Sequence, residues 1–270
     1  MSHSVIERLR SNDPAERRAA CRAAVDDPSV ALLLPGLGEA LGDPEKSVVR
    51  EASNALVAMG RDVPETHSVL REALRSGDPR RRWGAAFTSA RLAPPDPSLL
   101  PALVEAMGSP DGDVRWAAAK ILVEMGRLHP EVLGVTIGLV RAAEQPVVRR
   151  MATFCLRELA PDDPRAAAAL VSASRDRDVH LKRAACMALG VVLDPPPVVP
   201  DRLLQALTDD PDPITRRLAA LALGELGAQN PAALPARART ALHQAERKAE
   251  DGDLRSAAGR ALKRLEHASV

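Results

Sequence analysis

The chain has 270 residues, 46% of them hydrophobic but only 1% aromatic, and it contains no tyrosine. Its 37 basic and 36 acidic side chains leave a net charge of +1, too little to draw it to polyanions or membranes through a long-range field. Large rings normally fill much of a globular core, so a chain without them must bring many helices close together on Ala, Leu and Val. The opening MSHSVIERLRSNDPAERR has no apolar run of the signal-peptide kind. The longest apolar stretches, such as VLGVTIGLV from Val132, are about half of the roughly 18 residues a membrane span requires. Cys21, Cys155 and Cys186 are odd in number and far apart, which argues against a disulfide framework and for a reducing, cytoplasmic setting.

Along the chain one pattern returns: an Asp-Pro or similar turn, an Arg, then an Ala-rich helical run. It is seen in DPAERRAACRAA, SPDGDVRWAAAKILVEMG, RDVHLKRAACMALG and DPDPITRRLAALALGELG. One small residue anchors each copy: Ala20, Ala52, Ala85, Ala118, Ala152, Ala185, Ala219 and Ala258, at intervals of 32, 33, 33, 34, 33, 34 and 39. A fixed period of this length signals a repeat architecture. The units run roughly over 1–26, 27–61, 62–93, 94–127, 128–160, 161–194, 195–228 and 229–270, one array spanning 1–270. First helices are expected at 28–41, 64–75, 96–107, 130–143, 163–174, 198–207 and 231–249, and a second helix follows around each anchor. No segment shows the two-residue alternation of a strand. Asp43-Pro44 and Asp78-Pro79 place a carboxylate before Pro at an expected helix start. Gly60, Gly126 and Gly227 fall just past apolar runs, where a left-handed helix end is expected.

The turn, the Val-Arg pairs Val114-Arg115 and Val148-Arg149, the twin Ala and the Leu-Gly endings Leu189-Gly190 and Leu223-Gly224 resemble the HEAT repeat. The short variety found in phycobilin lyases and in consensus-built arrays is the nearest in form. The likeness covers essentially the whole chain, with departures at Val49 in place of the usual Arg, at EQPVV and in the long last unit. It implies an all-α fold, an α-solenoid of about eight helical hairpins, and is nearly silent on activity.

A helix turns 100° per residue, so each anchor defines two faces of its second helix. Four and seven residues on, Leu56, Leu122, Leu156, Leu189, Leu223, Leu262, Met59, Met125, Leu226 and Leu265 form a core stripe. On the opposite side, two residues before the anchor, come Arg18, Arg50, Trp83, Trp116, Arg150, Arg183, Arg217 and Ser256. Two residues after it come Arg22, Asn54, Phe87, Lys120, Phe154, Met187, Leu221 and Arg260. All four aromatic residues, Trp83, Phe87, Trp116 and Phe154, fall on this side. The resemblance implies that it lines a concave groove. Aromatics flanked by Arg50, Arg150, Arg183 and Arg217 have the apolar centre and Arg-rich rim of an interaction hot spot, and these eight residues are the candidate partner-binding site. The bland alternative is that the rings fill gaps between successive helices.

Three residues before the anchors, Arg17, Arg82, Arg115, Arg149, Lys182, Arg216 and Arg255 suggest either phosphate contacts or a ladder to turn carboxylates such as Asp111, Asp176 and Asp210. The resemblance favours the ladder. No metal set is visible: the six histidines are scattered and none is followed by Glu. There is no phosphate-binding Gly loop, nucleophile elbow or paired-ligand spacing. The expectation is a non-enzymatic scaffold, with no cofactor, whose groove binds a protein or peptide partner, acidic segments fitting best. The alternatives are a nucleic-acid-binding array, disfavoured by the neutral charge, and a chaperone-like subunit of a cofactor lyase.

Overall fold

The computed structural model describes residues 4–268, and among these every regular element is helical. The sixteen α-helices are α1 Val5–Leu9, α2 Pro14–Ala23, α3 Val30–Ala40, α4 Lys46–Met59, α5 Glu65–Leu74, α6 Pro79–Leu92, α7 Leu100–Met107, α8 Gly112–Leu128, α9 Val132–Ala142, α10 Pro146–Leu159, α11 Pro164–Ala173, α12 Val179–Leu189, α13 Val198–Asp209, α14 Pro213–Gln229, α15 Ala236–Lys248 and α16 Gly252–His267. Paired in order they make eight hairpins, so the fold is an all-α solenoid of the expected kind. Short 3-10 turns lie at Ala24–Asp26, Pro97–Leu99 and Pro231–Ala233.

The chain divides into two compact units, 1–129 and 130–270, holding α1–α8 and α9–α16. The division falls at a repeat boundary, and each unit has its own apolar core. In the N-terminal unit α2, α4, α6 and α8 pack consecutively; in the other, α10, α12, α14 and α16 do so. Every anchor alanine is fully buried. So are Leu56, Leu122, Leu156, Leu189 and Leu223 four residues on. The two faces read from the 100° period are therefore the buried and outward faces of the second helices.

Local chemistry sets the helix starts. Asp13, Asp78, Asp111, Asp163, Asp178, Asp212 and Asp251 each accept a hydrogen bond from a backbone N–H of the first turn, which satisfies a donor the helix leaves open. Asp43 is a correction. Its helix begins only at Lys46, so Asp43 accepts from Glu45 N at 2.9 Å and otherwise serves as an ion-pair partner. The expected first helix at 231–249 is split into a 3-10 turn and α15, because Pro235 stands at the break and lacks an N–H.

The glycine expectation is also overturned. Among the described residues no glycine has positive φ; Gly60 ends α4 with φ −64°, and Gly126 and Gly227 lie inside α8 and α14. What glycine supplies here is room. A Cβ on Gly60 would meet Leu92 Cδ1 at 2.5 Å, and one on Gly227 would meet Leu265 Cδ2 at 2.5 Å. The Leu-Gly endings work similarly: Gly190 faces the Cα of Ala222 and Gly224 faces that of Ala261, so successive second helices cross almost backbone to backbone.

Candidate partner-binding face

The basic residue three before the anchor is a structural strut. Arg17 donates from Nη1 to the turn carbonyls of Ser11 and Asn12, at 2.9 and 3.1 Å, while Nε and Nη2 grip Asp43 at 2.6 and 3.0 Å. Arg149 reaches Val140 O and Asp176, and Lys182 reaches Asp210 at 2.9 Å. The acceptor carboxylate sits two residues before a helix cap, where it also accepts the cap's own N–H. Ser76 and Ser109 at that position keep the N–H bond but are too short to reach back. Ser76 follows Val49, which has no charge to place; Arg82, followed by Ser109, turns to Glu105 on α7, and Arg115, followed by Ala143 at that position, donates to the carbonyls of its own turn at Ser109 and Pro110. The turn after Arg216 carries Ala249 there, and the buried Nε of Arg216 has no partner. Asp111, expected in the ladder, instead caps α8 and pairs with Lys46 at the start of α4. That pair reaches past α6, which lies between α4 and α8.

The outward face carries the candidate residues, and in the N-terminal unit Trp83, Phe87, Trp116 and Arg50 stand on it. Trp83 and Phe87 on α6 are half-buried, with centroids 5.5 Å apart and planes tilted by 43°. Trp116 stands on the adjacent α8 with 48% of its surface exposed. Arg50 on α4 is exposed and makes no ion pair among the described residues. Arg91 was not anticipated. It lies over Phe87 at 5.7 Å while donating to Ser53 Oγ and Asn54 Oδ1 at 2.8 and 3.0 Å. Its i+4 spacing from Phe87 was the available signal.

Phe154, Arg150, Arg183 and Arg217 belong to the C-terminal unit, and the other four candidates to the N-terminal unit. Phe154 is half-buried on α10 beneath Arg157, at 5.2 Å. Arg183 grips the α14 cap Asp212 through two bonds of 2.8 and 2.7 Å. Arg217 grips the α16 cap Asp251 and also pairs with Asp253. These two charges are already compensated within the fold. Arg150 is half-buried, with no ion pair among the described residues. Met187, on the same row, is 49% exposed.

Also unforeseen is Arg202 on α13, 7% exposed, which donates to Ser174 Oγ and O at the C-terminal end of α11. Burial pushes its pKa down; the open carbonyl end of a helix offers it a matching partial charge. The three cysteines are free and buried, and burial pushes Cys21 and Cys155 up to about 12 and Cys186 to about 11. As thiols with so little thiolate they are poor nucleophiles. No helix among the described residues is long and apolar enough to cross a membrane.

Eight two-helix units carrying a basic ladder and small-residue crossings define a helical-repeat protein. The family model for HEAT repeats matches residues 3–90, 68–142 and 134–224, and the chain belongs to the HEAT-repeat family. No curated protein matches it in sequence. Among solved structures it is similar to importin beta, at 16% identity and a TM-score of 0.66, covering 98% of this chain and 40% of that one. It is similar to Kap95p in a structure with RanGDP, at 14% identity and a TM-score of 0.67, covering 100% and 42%. A Kap121p mutant is similar at 15% identity and a TM-score of 0.60, covering 97% and 33%. The chain thus spans between 33% and 42% of the length of these proteins, and at such identity the likeness is one of fold.

Proposed function

We propose that this chain is a non-enzymatic scaffold that holds a protein or peptide partner against the outward face of its second helices. The observation that carries the reading is Trp116, 48% exposed on α8 in a chain with only two tryptophans and two phenylalanines. Tryptophan and arginine are the residues most enriched where binding energy concentrates, and Trp83, Phe87 and Arg50 share its unit. In the C-terminal unit, Phe154, Arg150 and Met187 offer a second contact, with Arg183 and Arg217 holding its helices in place. Kap95p, of similar fold, binds the protein RanGDP. Free, buried cysteines suit a cytoplasmic location.

The test is retention of a partner from host extract by immobilised wild-type protein and by the Trp83→Ala/Trp116→Ala double variant. Loss of a specific partner by the variant, with circular dichroism unchanged, is the expected result. Equal retention by both would remove this face from the binding site.

A further inference from the structure

We infer that the face of the N-terminal unit takes a two-ended protein segment, acidic over α2 and α4 and apolar over α6 and α8. This rests on the partner-binding reading above and adds the chemistry of the partner. One repeat position, two before the anchor, places Arg18, Arg50, Trp83 and Trp116 on α2, α4, α6 and α8 in that order. These four helices pack consecutively, so the row runs across the unit with its cations at one end and its rings at the other.

Neither cation has an ion pair of its own among the described residues, and the C-terminal unit supplies the comparison. Arg183 and Arg217, at the same repeat position, are each held by the cap aspartate of the following second helix. After Arg18 the following cap is Glu45, whose side chain makes no cap bond; after Arg50 it is Asp78, which caps Arg80 N. Neither pairs with the arginine. Glu51, the carboxylate beside Arg50, is taken by Arg22 at 2.9 Å. An apolar partner laid over this end would bury two guanidinium groups with no carboxylate bonded to them, which is unfavourable; a carboxylate there removes the penalty. At the other end Trp116 and the Trp83–Phe87 pair present apolar surface, and Lys120, exposed on α8, has a stem long enough to leave its ammonium in water.

Segregation of charge and rings also decides against a nucleic-acid strand. Such a strand carries phosphate along its whole length, and its grooves interleave basic and stacking side chains. Neighbouring helices lie roughly 8–10 Å apart, so the row from Arg18 to Trp116 covers about 25–30 Å. An extended segment spans that in about 8 residues, a helix in about 16–20.

The experiment uses the full chain and its own two tryptophans as reporters. The probes are 18-residue peptides with Glu and Ser in one half and Leu, Phe and Ser in the other, made in both chain directions. Matched controls carry Gln for Glu, and oligothymidylate of similar length stands for nucleic acid. Saturable change in tryptophan emission by one acidic probe is expected, weakening as salt rises. Arg18→Glu/Arg50→Glu should weaken it roughly tenfold or more, Arg50→Gln less, and Arg141→Gln, exposed on the first helix α9 of the other unit, not at all. The inference is overturned if the Gln control binds as tightly, if the double reversal has no effect while its circular dichroism is native, if oligothymidylate binds more tightly, or if no probe binds below millimolar concentration. A host partner lost on Trp83→Ala/Trp116→Ala but unaffected by Arg18→Glu/Arg50→Glu would overturn this inference alone and leave the broader reading standing.

Discussion

Replacing Gly224 by Ala should destabilise the protein, although the same change in a helix ordinarily stabilises it. Gly224 lies within α14 with ordinary negative φ, so Ala fits the backbone and should gain about 1 kcal/mol of helix preference. The new Cβ, however, would stand 2.6 Å from Ala261 Cα and 2.7 Å from Ala261 Cβ on α16. Both atoms are anchored to backbone, so relief requires the two helices to separate by about 1 Å. Overpacking of this kind costs about 1–3 kcal/mol, so after the helix gain the net loss is up to about 2 kcal/mol. Gly138 on α9 is the control, in the same unit, with nothing within 4 Å of its added Cβ. Gly138→Ala should raise stability by about 0.5–1 kcal/mol. Urea unfolding followed by far-UV circular dichroism reads both. If Gly224→Ala raises the midpoint as Gly138→Ala does, the backbone-to-backbone crossing of α14 and α16 is wrong.

Ala118, fully buried on α8, should cost about 1–3 kcal/mol when changed to Leu, read in the same assay. Asp210→Ala strands Lys182 and opens the Asp212 N–H, and should cost about 1–3 kcal/mol; Ser109→Ala, which breaks only a turn bond, should cost less in a parallel melt. The Arg183 guanidinium holds the Asp212 carboxyl well below the usual carboxylate range. That contribution is complete above the unfolded value of about 4 and is lost as pH falls towards the depressed one. Arg183→Gln should therefore flatten the loss of stability on acidification, measured as midpoint against pH. Trp116→Ala should change the melting temperature little, because the ring is half exposed, and acrylamide should quench the wild-type fluorescence readily; quencher-protected, blue-shifted emission would make the rings core.

Much of the fold is legible in the sequence because every repeat solves one packing problem with the same residues. The anchor alanines and the Leu stripe mark the buried side of each second helix, and that side is buried in all eight hairpins. Arg149 with Asp176, and Lys182 with Asp210, could be paired from spacing alone. Periodicity also placed Trp83, Phe87 and Trp116 on the outward face. It could not tell Arg50 from Arg183: both occupy one repeat position, and only the approach of Asp212 neutralises the second. Nor could it show that Asp111 would cap α8 and meet Lys46, since which carboxylate caps and which bridges depends on where the helix begins, to the residue. The glycines were misread for a related reason. A glycine after an apolar run suggests a chain reversal when only its own helix is considered; Gly60 and Gly227 are there for Leu92 and Leu265, side chains 32 and 38 positions further on. Helix content and facing are properties of local spacing, and the chain's own sequence determined them. Charge compensation and close approach are properties of pairs distant in sequence, so only the tertiary structure decided them.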